Sequence, residues 1–204
     1  MIPSSHTPSS THSTGTWNEQ PHLPVTGILL AGGAGRRMGG VDKGWLDWRG
    51  TPLIAQALAI LRDDCAEIII SANRNLDRYA QWGYRVVSDS TKDFQGPLMG
   101  LAAGMAAASQ PWVASIPVDS PRLPHDLVRR MWQAKKGRDL LVVRGAGHWH
   151  AVICLCRRAL WPHLQDYLDN GGRRAQDWFQ DLPYASLTLS AEALYNCNHP
   201  EDMT

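Results

Sequence analysis

Apolar runs of strand length alternate with segments of helical periodicity along the chain from Val25 onward. Runs of aliphatic and β-branched residues predict buried strands over 25–30, 67–71, 84–88, 112–116, 139–144 and 151–156. Apolar residues at helical spacing predict helices over 52–63, 76–82, 97–109, 123–136, 157–168 and 173–182. Because the strands are apolar almost throughout and alternate with helices, the pattern predicts an α/β fold. Its central sheet should be mostly parallel, with helices on both faces.

Small and polar residues follow four of the predicted strands directly. The four segments are Ala31-Gly32-Gly33, Ser71-Ala72-Asn73, Ser88-Asp89 and Pro117-Val118-Asp119. In an open parallel sheet the ligand crevice lies beyond the carboxyl ends of the strands. We therefore expect these four parts of the chain to meet at one edge of the sheet and to form a site there.

The first 23 residues differ in composition from the rest of the chain. They are rich in Ser, Thr, His and Pro and contain almost no aliphatic side chains. Such a segment cannot bury enough apolar surface to offset the entropy lost on ordering, so residues 1–23 are predicted to be a disordered extension. The histidines within it follow no metal-ligand spacing. Residues 24–204 have the length of a single domain.

The charge balance and the cysteines exclude several classes of protein. Lys and Arg number 20 against 19 Asp and Glu, for a net charge of +1, which argues against a polybasic arm for nucleic acid. The sequence contains no run of about 18 apolar residues that would span a membrane and no apolar core of a secretion signal. The four cysteines are scattered, and Cys154 and Cys156 lie in a predicted buried strand. We therefore expect a cytoplasmic protein with reduced thiols.

A glycine-rich segment follows the first predicted strand. Between Leu30 and Lys43 it contains five glycines and the cations Arg36, Arg37 and Lys43. Backbone amides in such a loop form a concavity that binds anions, and the cations add full charges. The spacing is neither that of a Walker loop nor that of a dinucleotide fingerprint. The alternative is a flexible turn with solvated arginines, but the density of glycines and cations favours a nucleoside triphosphate as ligand.

The segment also resembles a known family signature. Leu-Ala-Gly-Gly-x-x-x-Arg-Met-Gly-x-x-x-Lys, read from Leu30 to Lys43, resembles that of nucleotidyltransferases acting on the molybdenum cofactor, and the chain from Val25 to Thr204 resembles the molybdenum cofactor guanylyltransferases. Further matching segments are Gly96-Pro97-Leu98 with Gly100, Asp119-Ser120-Pro121, Arg173-Arg174 and Asn196-Cys197-Asn198-His199-Pro200-Glu201. The last segment departs from the family's usual Asn-x-Asn-Thr-Pro-Glu at His199.

The resemblance implies a Rossmann-like three-layer sandwich and an activity. The family uses GTP with Mg²⁺ as cofactor, transfers GMP to the terminal phosphate of molybdopterin and releases diphosphate. The implied partners are therefore GTP and molybdopterin, together with proteins that insert the cofactor or the molybdoenzymes that accept it. Because the attacking phosphate is already anionic, no strong general base is required, and positioning and charge neutralisation should dominate.

The resemblance also implies which residues bind the nucleotide. They are Leu30, Ala31, Gly32, Gly33, Lys43, Ser71, Asn73, Asp89 and Asp119. The catalytic residues would be Arg37 and Lys43, in contact with its phosphates, and Asp119, which would hold Mg²⁺, although Asp-Ser-Pro is also good turn chemistry. The family often has Asn where this chain has Ser71, so Asn73 is an alternative ligand nearby.

The second substrate is expected in the carboxyl-terminal half. The implied pterin-binding residues are His150, Arg173, Arg174, Asn196 and Asn198. Each has a plainer interpretation: His150 could simply begin a strand, and the arginines could lie on a solvated helix start.

Two other functions remain open from the sequence alone. One is a related nucleotidyltransferase that uses CTP or a sugar phosphate, although cytidylyl relatives commonly read Leu-Ala-Ala-Gly where this chain reads Leu30-Ala31-Gly32-Gly33. The other is a carrier that binds nucleotide or cofactor without catalysis. Such a carrier need not keep a metal-binding carboxylate at Asp119.

Overall fold

The computed structural model describes residues 21–32, 41–89, 96–197 and 202. The strands within these residues are β1 (Leu23–Leu30), β2 (Asp47–Trp48), β3 (Thr51–Pro52), β4 (Cys65–Ser71), β5 (Arg85–Val87), β6 (Trp112–Pro117), β7 (Leu140–Gly145), β8 (His148–Arg157) and β9 (Tyr184–Thr188). The helices are α1 (Leu53–Arg62), α2 (Leu76–Ala80), α3 (Pro97–Ala107), α4 (Leu127–Ala134), α5 (Trp161–Asp169) and α6 (Ala175–Gln180). Single turns of 3-10 helix cover Lys43–Trp45 and Arg158–Leu160.

Seven of these strands form one sheet in the order β5-β4-β1-β6-β8-β7-β9. The pairs β5–β4, β4–β1, β1–β6 and β7–β9 are parallel. Strand β8 is antiparallel to both of its neighbours, β6 and β7. The carboxyl ends of β5, β4, β1, β6 and β7 therefore lie at one edge of the sheet, together with the amino end of β8.

Apolar side chains fill both faces of the sheet and produce three layers. Successive strand residues point to opposite faces, so Leu29 packs on one side with α1 and α4 while Ile28 packs on the other with α3, α5 and α6. Leu58 of α1 and Leu101 of α3 are fully buried against these two faces. The predicted sandwich with a mostly parallel sheet is confirmed. No helix in the described part of the chain is long and apolar enough to cross a membrane.

Three features of the fold differ from the prediction or were missing from it. Strand β8 reverses direction, because Ala146 and Gly147 both take positive φ (51° and 79°) and turn the chain tightly between β7 and β8. Strand β9 was not predicted; its residues are partly exposed and it forms by pairing with β7. The short hairpin of β2 and β3 was also missed. The predicted extension covers residues 1–23, of which residues 1–20 lie outside the described part of the chain. Its last residue, Leu23, already belongs to β1.

Candidate nucleotide-binding site

Backbone hydrogen bonds continue beyond the strand ends and bring separate segments together at one edge of the sheet. The amide of Ala31 donates to the carbonyl of Ser71 at 2.8 Å, and the amide of Val118 donates to the carbonyl of Leu30 at 3.0 Å. The amide of Ala72 donates to Val87 at 2.9 Å. The residues that follow β1, β4, β5 and β6 therefore meet, as the rule for parallel sheets predicts.

Asn73 and Asp89 hold each other through two hydrogen bonds. The side-chain Nδ2 of Asn73 donates to Oδ2 of Asp89 at 2.7 Å, and the backbone amide of Asp89 donates to Oδ1 of Asn73 at 3.1 Å. The second carboxylate oxygen of Asp89, Oδ1, is buried and has no hydrogen-bond partner among the described residues. A buried acceptor without a donor is costly, so this oxygen favours a ligand that brings an N–H or O–H group.

Gly32 lies beside this pair. A Cβ at Gly32 would lie 3.4 Å from Nδ2 of Asn73, so the backbone of the glycine approaches the amide closely. Leu30 and Ala31 are buried, with 8% and 3% of their surface exposed. They can therefore contact a nucleotide only through their backbone groups.

Lys43 and Asp119 meet at the same edge although 76 residues separate them. Lys43 Nζ donates to Oδ2 of Asp119 at 2.7 Å, and each side chain is only 17% exposed. The pair joins the segment after β1 to the segment after β6. A partly desolvated cation beside a carboxylate suits a triphosphate, because the cation can bind phosphate oxygens while the carboxylate faces a metal ion.

The donor set around Asp119 fits Mg²⁺ better than a metal that prefers nitrogen or sulfur ligands. Within the described ranges, no group of three or more His, Cys, Asp or Glu side chains is placed to hold a metal ion. Mg²⁺ is commonly bound by one or two carboxylates and completes its shell with phosphate oxygens and water. Asp119 therefore fits as a protein carboxylate of a metal–nucleotide complex.

His150 lies at this edge as well, on the antiparallel strand. In the pairing of β7 with β8, Val142 lies opposite Cys154, but the next residue, Val143, lies opposite His150. The residues of β8 between His150 and Cys154 therefore form a bulge. Burial, with a smaller contribution from the charge of His148, lowers the pKa of His150 below its ordinary value. His150 is consequently favoured in its neutral form.

The carboxyl-terminal candidate residues belong to two separate segments. The amide of Cys197 donates to the carbonyl of Asp119 at 2.9 Å, which places the neighbouring exposed Asn196 close to the Lys43–Asp119 pair. The guanidinium of Arg173 donates to the carbonyls of Leu168 and Gly172 at 2.8 and 2.6 Å, so it is occupied by its own loop.

Arg174 is placed differently from Arg173. Its side chain is 79% exposed and lies 3.9 Å from Asp177, immediately before α6. Arg174 is therefore the better placed of the two arginines to meet an incoming anion.

Similarity to named proteins shows the family to which this chain belongs. Residues 27–185 match the model of the MobA-like NTP transferase domain. A molybdenum cofactor guanylyltransferase of Polynucleobacter asymbioticus is 38% identical over 186 residues, covering 88% of this chain and 94% of the relative. The corresponding protein of Serratia proteamaculans is 39% identical and covers 89% and 93%. This chain belongs to the molybdenum cofactor guanylyltransferase family.

Solved structures agree with the fold of this family. The molybdopterin-guanine dinucleotide biosynthesis protein A of Archaeoglobus fulgidus superimposes with a TM-score of 0.69 at 16% identity, covering 87% of this chain and 94% of that one. A 2-C-methyl-D-erythritol 4-phosphate cytidylyltransferase of Thermus thermophilus gives 0.67 at 18% identity, covering 87% and 94%. Because guanylyl and cytidylyl enzymes share the fold, the fold alone does not select the nucleotide.

Ser71, where this guanylyltransferase family often has Asn, is not brought into the site by its side chain. It is 2% exposed, and a Cβ at Gly100 would lie only 2.7 Å from its Oγ. The hydroxyl is therefore packed beneath α3, and the carbonyl of Ser71 serves the backbone of Ala31. Asn73, rather than Ser71, is the side chain that the fold presents beside Asp89.

Gly33, Arg37 and Asn198 lie outside the described residues, so their roles stay predictions.

Sequence reasoning also missed one residue beside the site, Asp42. It is buried and accepts hydrogen bonds from Gly44, Asn75 and Tyr79. The available signal was local: an acidic residue directly before Lys43 is a good amino-terminal cap for a helical turn.

Proposed function

We propose that this nucleotidyltransferase transfers GMP from GTP to the terminal phosphate of molybdopterin, forming the guanine dinucleotide and releasing diphosphate. The names of relatives that share 36–39% identity over most of the chain support the reaction. A substrate phosphate oxygen attacks the α-phosphorus of GTP, and the bond between the α-phosphorus and its bridging oxygen to the β-phosphate breaks. The oxygen and its electron pair leave with diphosphate. We infer that the reaction takes place in the cytoplasm, where GTP is available.

The Lys43–Asp119 contact is the observation that carries the proposal. It puts the cation expected on the phosphates within 2.7 Å of the carboxylate expected on the metal. Developing charge on the phosphates is then met by groups that are already in place, which is the main requirement of phosphoryl and nucleotidyl transfer. The attacking phosphate monoester is itself anionic, so the reaction needs no general base in the site.

We also propose Mg²⁺ as the cofactor, held by Asp119. When bound, it would neutralise phosphate charge and orient the oxygens of the triphosphate. Lys43 orients the carboxylate of Asp119 through their 2.7 Å contact.

Asp89 is proposed to select the base. Its Oδ1 is a buried acceptor with no partner among the described residues, and guanine presents two adjacent donors, N1–H and the N2 amino group, on one edge. Asn73 fixes the orientation of this carboxylate through both of its amide atoms. A base without donors at this edge would leave the acceptor unpaired.

The pterin phosphate is proposed to approach Arg174, with His150 and Asn196 beside the path to Asp119. Arg174 is exposed before a helix start, and Asn196 adjoins the residue that hydrogen bonds to the Asp119 carbonyl. The dinucleotide product would then pass to a cofactor-insertion protein or to an acceptor molybdoenzyme.

The test incubates the purified protein with Mg²⁺, molybdopterin and either GTP or CTP, and identifies the product by mass spectrometry. We expect the guanine dinucleotide with GTP, and no product when Mg²⁺ is removed with EDTA and not restored. Faster turnover with CTP than with GTP would overturn the guanylyl assignment. Full activity in EDTA would overturn the magnesium assignment and leave the transfer intact.

A further inference from the structure

We propose that Asp42 is a positioning residue for Lys43, and that Asn75 and Tyr79 on and beside α2 hold it in place. The inference rests on the proposed function, because Lys43 matters only if it binds the triphosphate. The carboxylate of Asp42 is bound by Asn75 and Tyr79, so in this assignment Asp42 acts through the backbone of its neighbour.

The contacts of Asp42 anchor the turn that carries Lys43. Its Oδ1 accepts from the hydroxyl of Tyr79 at 2.6 Å and from the backbone amide of Gly44 at 3.3 Å. Its Oδ2 accepts from Nδ2 of Asn75 at 2.8 Å, and the guanidinium of Arg74 lies 3.9 Å away. A buried carboxylate needs such donors, so separating the turn from α2 would leave a charge without partners.

Packing of Trp45 also holds the turn Lys43–Trp45 against α2. The ring of Trp45 lies 5.0 Å from that of Tyr79, and Arg78 of α2 stacks over Trp45 at 3.8 Å. A Cβ at Gly44 would lie 2.6 Å from the Tyr79 hydroxyl, so only glycine allows the approach without a shift. The turn Lys43–Trp45 is thus held against α2 on both sides of Lys43.

The chemistry of Tyr79 suits a permanent donor. The residue is fully buried, and burial together with its hydrogen bond to Asp42 raises the pKa of its hydroxyl above its ordinary range. It therefore stays protonated at every pH at which the protein would be used and keeps donating to Asp42.

The connection from β4 to α2 serves both ends of the nucleotide. Asn73 in this connection orients Asp89, which we assign to the base, while Asn75 and Tyr79 anchor Asp42 beside the phosphate cation. Because the backbone of Lys43 is already fixed by the turn, binding phosphate costs no further backbone entropy and the side chain starts from within reach of the ligand.

The first experiment replaces Tyr79 by Phe, which removes the hydroxyl and keeps the ring. We expect the Kd for GTP to rise about tenfold, the change that 1.4 kcal/mol produces, while the melting temperature and circular dichroism stay those of a folded protein. Tyr84→Phe is the matched control, because the Tyr84 hydroxyl also makes a side-chain hydrogen bond, in its case accepting from Nε of Arg62 at 3.2 Å, but lies away from Lys43. Its Kd should be unchanged.

A double-mutant cycle separates positioning from general structure. If Asp42 acts through Lys43, Tyr79→Phe should change the kcat/KM for GTP in the wild-type background but by less than about twofold in a Lys43→Ala background. Equal effects in both backgrounds would overturn the proposal, as would an unchanged Kd in Tyr79→Phe.

Should Tyr79→Phe fail to fold, Asp42→Asn provides the same cycle with a side chain of nearly the same shape that lacks the charge. Its amide can still accept from Gly44 but places a donor opposite Asn75. Absence of GMP transfer by the wild-type protein would overturn the proposed function. Normal transfer by the wild-type protein, together with additive effects of the two substitutions, would overturn only the positioning role of Asp42.

Discussion

Substituting Gly100 by Ala tests how α3 packs against the end of β4, beside the nucleotide site. A Cβ there would lie 2.7 Å from Oγ of Ser71 and 3.3 Å from Cδ2 of Leu30. The first distance requires a shift, because the hydroxyl is attached to a short side chain on a buried strand. The second is a contact with the flexible end of a leucine, which can move by a few tenths of an ångström.

The expected magnitude combines two opposing terms. Overpacking of a core costs about 1–3 kcal/mol, whereas replacing glycine by alanine within a helix gains about 1 kcal/mol. Gly100→Ala should therefore destabilise the protein by about 0–2 kcal/mol, and each kcal/mol lowers the Tm of a chain of this size by about 2–4 °C.

Removing the hydroxyl should reverse the sign of the effect. In a Ser71→Ala background the nearest atom of residue 71 would be its Cβ, 3.6 Å from the new methyl group, which is an ordinary contact. There Gly100→Ala should raise the Tm, since the remaining tight contact is with the flexible Cδ2 of Leu30 and the helix-propensity gain outweighs it. Ser71→Ala alone should change the Kd for GTP by less than about twofold, because the side chain is packed beneath α3.

Thermal unfolding of the four proteins, followed by circular dichroism, measures the cycle, and calorimetry with GTP measures the affinity. An equal fall in Tm in both backgrounds would refute the assignment of the strain to Ser71. A large loss of GTP affinity in Ser71→Ala would show that the hydroxyl reaches the nucleotide after all.

Two further predictions concern charged groups. Asp119→Ala should lower GMP transfer about a thousandfold or more, because a metal-binding carboxylate contributes several kcal/mol to charge stabilisation, while the fold is retained; near-normal product formation by mass spectrometry would contradict the metal role. Burial alone would raise the pKa of Glu67, but hydrogen bonds from Thr26 and Ser109 lower it below its usual 4.5. Glu67 thus stabilises the fold above the pKa that it has when unfolded, and this contribution is lost as the pH falls through the lower folded value. Glu67→Gln should therefore be less stable than the wild type at pH 7 and approach it in acid; a difference independent of pH, measured by urea unfolding, would contradict this account.

The sequence by itself determined most of the elements and the chemistry at the strand ends. Periodicity is local information, so the alternation of apolar strands and helices predicted the three layers and the edge that gathers Asn73, Asp89 and Asp119. The glycine-rich segment and Lys43 were visible because anion binding needs those residue types near one another in the chain.

Tertiary structure alone decided what depends on distant partners. Strand β9 is partly exposed and forms because it pairs with β7. The tight turn between β7 and β8 makes β8 antiparallel to β7. Whether Ser71 faced the nucleotide or the core depended on the approach of Gly100, 29 positions later, and the use of Asp42 depended on Tyr79 in another element. Such contacts are set by the packing of whole layers, because a side chain's partners are chosen by the space and the donors that remain once the sheet and helices have met.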